Sequence, residues 1–141
     1  MKSLGIDIGT TTISAAVINP ATNTVLTTRT IPNDSFIRTD KSWEKIQDPE
    51  KICAKVFKLA DELLDEYGEI DRIGLTGQMH GIVYVDREGE CIGSLYTWQD
   101  ERGAIPCPCY GGKSVCDFLA DTYGIRIYPG YGLATHLYNQ R

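Results

Sequence analysis

Apolar residues alternate with glycine or a polar residue over residues 4–8, where Leu4, Ile6 and Ile8 bracket Gly5 and Asp7. A period of two predicts a strand with one face turned to a core. Gly9 and three threonines follow as a tight turn, and residues 13–18 return as a second apolar strand. Asn19-Pro20-Ala21-Thr22-Asn23 is a second polar turn. Beyond it, residues 24–31 are rich in β-branched side chains and make a third strand. Short turns between the three imply an antiparallel meander. Residues 33–47 are polar and aperiodic, which predicts a long loop.

The period then changes from two to between three and four. Ile52, Val56, Leu59, Leu63 and Tyr67 share one face of a helix. Asp48 suits its N-cap, Pro49 its first turn and Glu50 the positive end of its dipole, while Gly68 supplies a stop. The acidic run Asp61, Glu62, Asp65 and Glu66 is its solvated face. Residues 70–76 predict a buried strand broken by Gly77. Residues 81–85 and 91–98 predict a hairpin around Asp86–Glu90. Residues 113–123 predict a shorter helix stopped by Gly124, and residues 133–140 a last helical segment in which His136 is structural. The order strand, strand, strand, helix, strand places the chain in the α/β class with a mixed sheet. The last segment reaches Arg141 without cap or breaker, as in a chain cut from something longer.

Composition narrows the function classes. A chain of 141 residues suffices for one ordinary domain with its own core. Fourteen basic against 19 acidic residues give a net charge of −5, which argues against nucleic-acid and anionic-membrane surfaces. No apolar run approaches the roughly 20 residues of a spanning helix, and the N-terminus lacks the sections of a signal peptide, so a cytoplasmic protein is expected. Five cysteines, an odd number, suit reduced thiols better than a disulfide framework. CPCYGGKSVC lacks the paired CxxC of a zinc site, and neither His80 nor His136 stands at ligand spacing.

The lone acid of the first strand admits two readings. A carboxylate at a sheet end can hold hydrated Mg²⁺ against phosphate oxygens. Gly9 would let the backbone approach a ligand, and Thr10, Thr11 and Thr12 would donate amides and hydroxyls. Alternatively, the turn is only a turn and Asp7 a solvated edge residue. No GxxxxGK[ST] or GxGxxG accompanies it.

IDIGTTTISAAVI resembles the first phosphate loop of the sugar-kinase, Hsp70 and actin superfamily, and the element order resembles its ribonuclease H-like (actin-like ATPase) lobe. TGQMHG (76–81) and TWQDER (97–102) resemble the paired sugar-site motifs of the FGGY carbohydrate kinases, on the sedoheptulokinase and xylulokinase branches. The ending PGYGLATHLYNQR is closer to sedoheptulokinase. The resemblance spans the chain, which reads as residues 1–141 of the N-terminal lobe without the nucleotide-binding second lobe. It implies transfer of phosphate from ATP, with Mg²⁺, to a primary hydroxyl of a ketose. Asp7 would help hold the metal, and Gly9, Thr10, Thr11 and Thr12 would approach the phosphates. Gln78, Met79, His80, Trp98, Gln99 and Asp100 would line the sugar site. His, Gln and Asp supply the directional bonds a polyol needs, and Met and Trp can cover its C–H faces. For Met79 and Trp98, core packing fits as well as sugar contact, and Arg102 fits a solvated turn pair better than a pocket role.

Two departures qualify the resemblance. The family usually carries Lys or Arg where this chain has Ser14, and its general-base Asp lies beyond Arg141. Phosphoryl transfer depends on positioning and charge stabilisation by both lobes, so the fragment alone is expected to be inactive. A natural short sugar-binding or regulatory module is the alternative. A lobe without its neighbour would also leave a contact surface uncovered, which favours a homo-oligomer.

Overall fold

The computed structural model describes residues 1–141. In chain order it contains β1 (Ser3–Ile8), β2 (Thr12–Asn19), β3 (Thr24–Pro32), β4 (Ile46–Gln47), α1 (Pro49–Tyr67), β5 (Arg72–Gly77), β6 (Leu95–Tyr96), α2 (Val115–Tyr123) and α3 (Gly132–Asn139). These elements form two compact units, one of residues 1–35 and 50–78, the other of residues 36–49 and 79–141.

The first unit is the predicted α/β arrangement. Its sheet runs β3-β2-β1-β5, with β1 antiparallel to β2 and parallel to β5. Alternation sends Leu4, Ile6, Ile13, Ala15 and Val17 to one face, where Leu59 and Leu63 of α1 pack on them. Leu63 is fully buried. Leu63→Ala is therefore expected to cost about 2–5 kcal/mol, read as a lowered midpoint in urea unfolding. Gly68 ends α1 at φ +70, its amide donating to the Leu64 carbonyl.

The opposite sheet face carries Gly5, Asp7, Ser14, Ala16, Thr28 and Thr30, and these line a shallow groove of about 590 Å³. Here β5 departs from expectation. It is exposed along its whole length, Ile73 and Leu75 included, and is not a buried strand. It lies at the sheet edge, while the core of this unit is built between β1, β2 and α1.

The second unit is mostly irregular. The segment expected as a plain loop contains β4, and Gln47 within it is fully buried. The expected 81–98 hairpin survives only as the isolated bridges Val85–Cys91 and Ile82–Tyr96. Gly93 takes φ +83 and breaks the returning strand, and Leu95 and Tyr96 form their ladder with Gln47 and Ile46, Tyr96 keeping its bridge to Ile82 as well. The core joins Val115 and Leu119 of α2 to Ala134 and Tyr138 of α3. α2 begins two residues later than predicted because Ser114 is its cap: Ser114 Oγ accepts from the Asp117 amide at 3.1 Å and donates to the Asp117 carboxylate at 2.7 Å.

The cysteines are also not all free. Cys107 and Cys109 are bonded to each other across a 3₁₀ turn, Pro108–Tyr110, which brings their Cα atoms within 5.3 Å. Cys53, Cys91 and Cys116 are thiols, and burial, with Asp117 adding to it, pushes the Cys116 thiol up. No helix is long and apolar enough to cross a membrane.

Candidate functional site

The first unit places the hydroxyl-rich turn at the end of β1 and braces it from two sides. Asn33 is buried; its amide donates to the Thr11 carbonyl at 2.8 Å and its side chain to the Gly9 carbonyl at 2.7 Å. Ser35 Oγ donates to Asn33 Oδ1 at 2.7 Å and fixes that amide's orientation. Both lie at the start of the segment that the sequence offered only as aperiodic loop, and a buried Asn beside a turn leaves no periodic signature. The other brace is Gln78, whose amide donates to the Ile8 carbonyl at 2.9 Å while its Oε1 accepts from Thr10 Oγ1 at 3.1 Å. Gly9 has room for a hydrogen only, since a Cβ would lie 2.9 Å from the Thr12 carbonyl oxygen. Thr11, Thr12 and Asp7 remain exposed. One carboxylate beside hydroxyls suits a cation that keeps its waters.

The second unit holds a cavity of about 520 Å³. Its wall takes His80, Trp98, Gln99 and Asp100 from the residues anticipated for the sugar site, together with Glu101. Tyr128, Pro129, Gly130 and Tyr131 complete it. These four were not anticipated as site residues, although they open the C-terminal stretch that carried part of the resemblance. Gln78 belongs to the first unit, and Met79 is exposed and outside the cavity wall.

Asp100 is fully buried, and both its oxygens are engaged. Oδ1 accepts from the Arg102 amide at 3.0 Å and Arg102 Nε at 2.7 Å. Oδ2 accepts from the Lys45 amide at 2.9 Å and an Arg102 terminal nitrogen at 3.1 Å. Asp100 therefore shapes the wall through its backbone and fixes Arg102 with its side chain.

Arg102 is not the solvated turn partner expected from the sequence. It is 4% exposed, donates also to Glu44 and Asn139, and lies over the ring of Tyr96 at 4.1 Å. Only a guanidinium supplies this many planar donors and stacks on an aromatic face. Burial by itself would lower its pKa; hydrogen bonds and charge from Asp100, with Tyr96 and Glu44, outweigh that and hold it above its ordinary value. The cation persists at every working pH. His136 is structural as anticipated, bonded through Nδ1 to the Tyr84 hydroxyl at 3.2 Å.

The cavity is tightly built where its two wall segments meet. Gly130 is buried, and a Cβ there would fall 1.9 Å from the Trp98 carbonyl oxygen. His80 adopts φ +68, a region L-residues seldom occupy, and its ring stacks on Tyr131 at 4.4 Å with the planes 10° apart. Trp98 and Tyr128 are exposed aromatic surfaces at the wall. Among the lining residues are two carboxylates and no lysine or arginine.

Residues 2–135 match the N-terminal domain of the FGGY family of carbohydrate kinases. The chain belongs to that family. It is similar to the xylulose kinase of Bacillus subtilis (strain 168), with 27% identity over 139 residues, covering 96% of this chain and 27% of that protein. It is also similar to the xylulose kinase of Staphylococcus xylosus, with 32% identity over 101 residues, 70% of this chain and 20% of the other. The chain thus spans about a quarter of the length of these relatives. The fold matches that of a ligand-bound xylulose kinase from Lactobacillus acidophilus, with a TM-score of 0.79 at 18% identity, over 99% of this chain and 28% of that one. A glycerol kinase from Plasmodium falciparum with ADP matches at 0.76 and 17% identity, over 97% and 28%. The sheet and α1 of the first unit are accordingly the ribonuclease H-like, actin-like ATPase fold of sugar kinases.

Proposed function

We propose that these residues form the N-terminal, sugar-holding part of an ATP-dependent kinase that phosphorylates an uncharged ketose at a primary hydroxyl, xylulose being the first candidate. The observation that carries this reading is the second unit's cavity, where aromatic faces, an imidazole and Gln99 stand together without a single cation. Aromatic faces cover the C–H side of a sugar, and the polar groups meet its hydroxyls. The wall offers an acid, such as an aldonate or a sugar already phosphorylated, no lysine or arginine to pair with, and the one exposed carboxylate lining it, Glu101, opposes a second negative charge.

In this reading His80, Trp98 and Gln99 touch the sugar. Asp100, its oxygens already taken by four donors, maintains the wall and is not a base. In the first unit the turn from Gly9 to Thr12 would receive phosphate oxygens on its amides and hydroxyls, with Gln78 and Asn33 keeping it in shape. Asp7 would hold Mg²⁺ through water, and that ion, when bound, supplies neutralisation of phosphate charge. Ser14, which donates to or accepts from Thr30 Oγ1 at 2.9 Å, offers no positive charge to phosphate.

The test is sugar-dependent release of ADP. A full-length protein carrying this domain is expected to turn over xylulose, and Asp7→Asn to lower kcat/KM by about a hundredfold or more. Gluconate should not replace xylulose. The 141 residues alone are expected to show no turnover; ATP-dependent turnover by them would remove the two-lobe reading.

A further inference from the structure

We infer that Tyr131 is a positioning residue whose ring fixes the imidazole of His80 against the cavity, an inference that rests on the sugar-site reading above. His80 is exposed and sits at φ +68, a conformation that an L-residue keeps only where its surroundings enforce it. The near-parallel stack on Tyr131 is the contact that orients its ring.

The Tyr131 backbone is held from both directions along the chain, and its ring also meets that of Tyr128, centroids 5.4 Å apart. Its amide donates to the Tyr128 carbonyl at 3.1 Å, and its carbonyl accepts from the Thr135 amide at 3.0 Å in the first turn of α3. Gly130 before it abuts the Trp98 carbonyl, and Gly132 after it leaves space a Cβ would fill at 3.1 Å from Ile82 Cγ2 and 3.5 Å from the His80 carbonyl oxygen. Tyr131 stands at the N-cap of α3 yet makes no side-chain cap bond, so its ring is not committed to the helix. A rigid aromatic platform of this kind removes rotamer freedom from His80 before any ligand arrives. A sugar that bonds the imidazole then pays less ordering entropy.

Positioning His80 and touching the sugar make different demands on Tyr131. If it positions His80, the ring is what matters and the hydroxyl is dispensable. The experiment follows the His80 Cε1–H resonance of this chain by NMR and measures xylulose affinity in the same samples. Wild type should show the ring-current displacement of an imidazole on an aromatic face. Tyr131→Phe is expected to keep that displacement and bind xylulose within about twofold of wild type, while Tyr131→Leu loses it and binds about tenfold more weakly. The Trp43 indole signal monitors the fold.

An undisplaced resonance in wild type, a displacement that survives Tyr131→Leu, or a tenfold loss in Tyr131→Phe would overturn the proposal. The last would place the hydroxyl on the sugar. Should Tyr131→Leu fail to fold, Tyr131→Phe decides alone: resonance and affinity retained support the platform, and either one lost overturns it. Failure of wild type to bind xylulose, with the displacement present, would instead refute the sugar reading while the stack stands.

Discussion

Arg102→Met is expected to destabilise the second unit by about 3–5 kcal/mol, the cost of stranding one member of a buried ion pair. The substitution keeps a stem of similar length but removes the donors that meet Asp100, Glu44 and Asn139. Asp100, with no exposed surface, would keep only the Lys45 and residue-102 amides. The stack on Tyr96 would lose its cation. Thermal unfolding followed by circular dichroism should show a midpoint lowered by more than roughly 10 °C. A double variant, Asp100→Leu with Arg102→Met, should recover part of that loss, because it no longer strands the fully buried Asp100 carboxylate and leaves only the partly exposed Glu44 without its cation. A shift of only a degree or two in the single variant would show that the pair is a spectator.

Gly130→Ala is the second large effect, and it acts on the cavity. One methyl group would stand 1.9 Å from the Trp98 carbonyl oxygen, 2.5 Å from its carbon and 3.0 Å from the Asp100 carbonyl oxygen. No side chain can rotate away from a backbone clash, so one wall segment must move. Overpacking of this kind costs about 1–3 kcal/mol, and the displaced strip carries Trp98 and Gln99 out of register with His80. Xylulose affinity should fall by about tenfold or more, since an ångström of misplacement is costly for directional bonds. Gly74→Ala is the control. A Cβ there meets nothing within 4 Å, and replacing glycine where the conformation allows it is near neutral. Equal effects at the two positions would refute the clash argument.

The first unit was legible in the sequence because its elements announce themselves through periodicity. Leu4, Ile6, Ile13 and Val17 alternate, and Leu59 and Leu63 recur at helical spacing, so strand, helix and core face all followed from the pattern. β5 departs from that pattern, because Ile73 and Leu75 are apolar yet lie on an exposed edge, and apolar identity does not reveal whether a layer covers it. In the second unit the decisive interactions join residues far apart in sequence. Arg102 reaches Glu44 and Asn139, separations of 58 and 37 residues, and such a pairing leaves no local trace. Four residues of TWQDER, Trp98 to Glu101, line the second unit's cavity, while the inward turn of Asp100 and Arg102 came only from the fold. The ring partner of His80, Tyr131, was hidden in a stretch whose local pattern reports only the start of a helix.

The measurement that tests the account most directly is a titration of this chain with xylulose, followed through its backbone amides and the Trp98 indole by NMR. Saturable shifts at His80, Trp98, Gln99, Gly130 and Tyr131, and none with gluconate, are the predicted result. Saturable binding that leaves those residues unmoved, or equal binding of gluconate, would contradict the claim that the second unit's cavity holds an uncharged sugar.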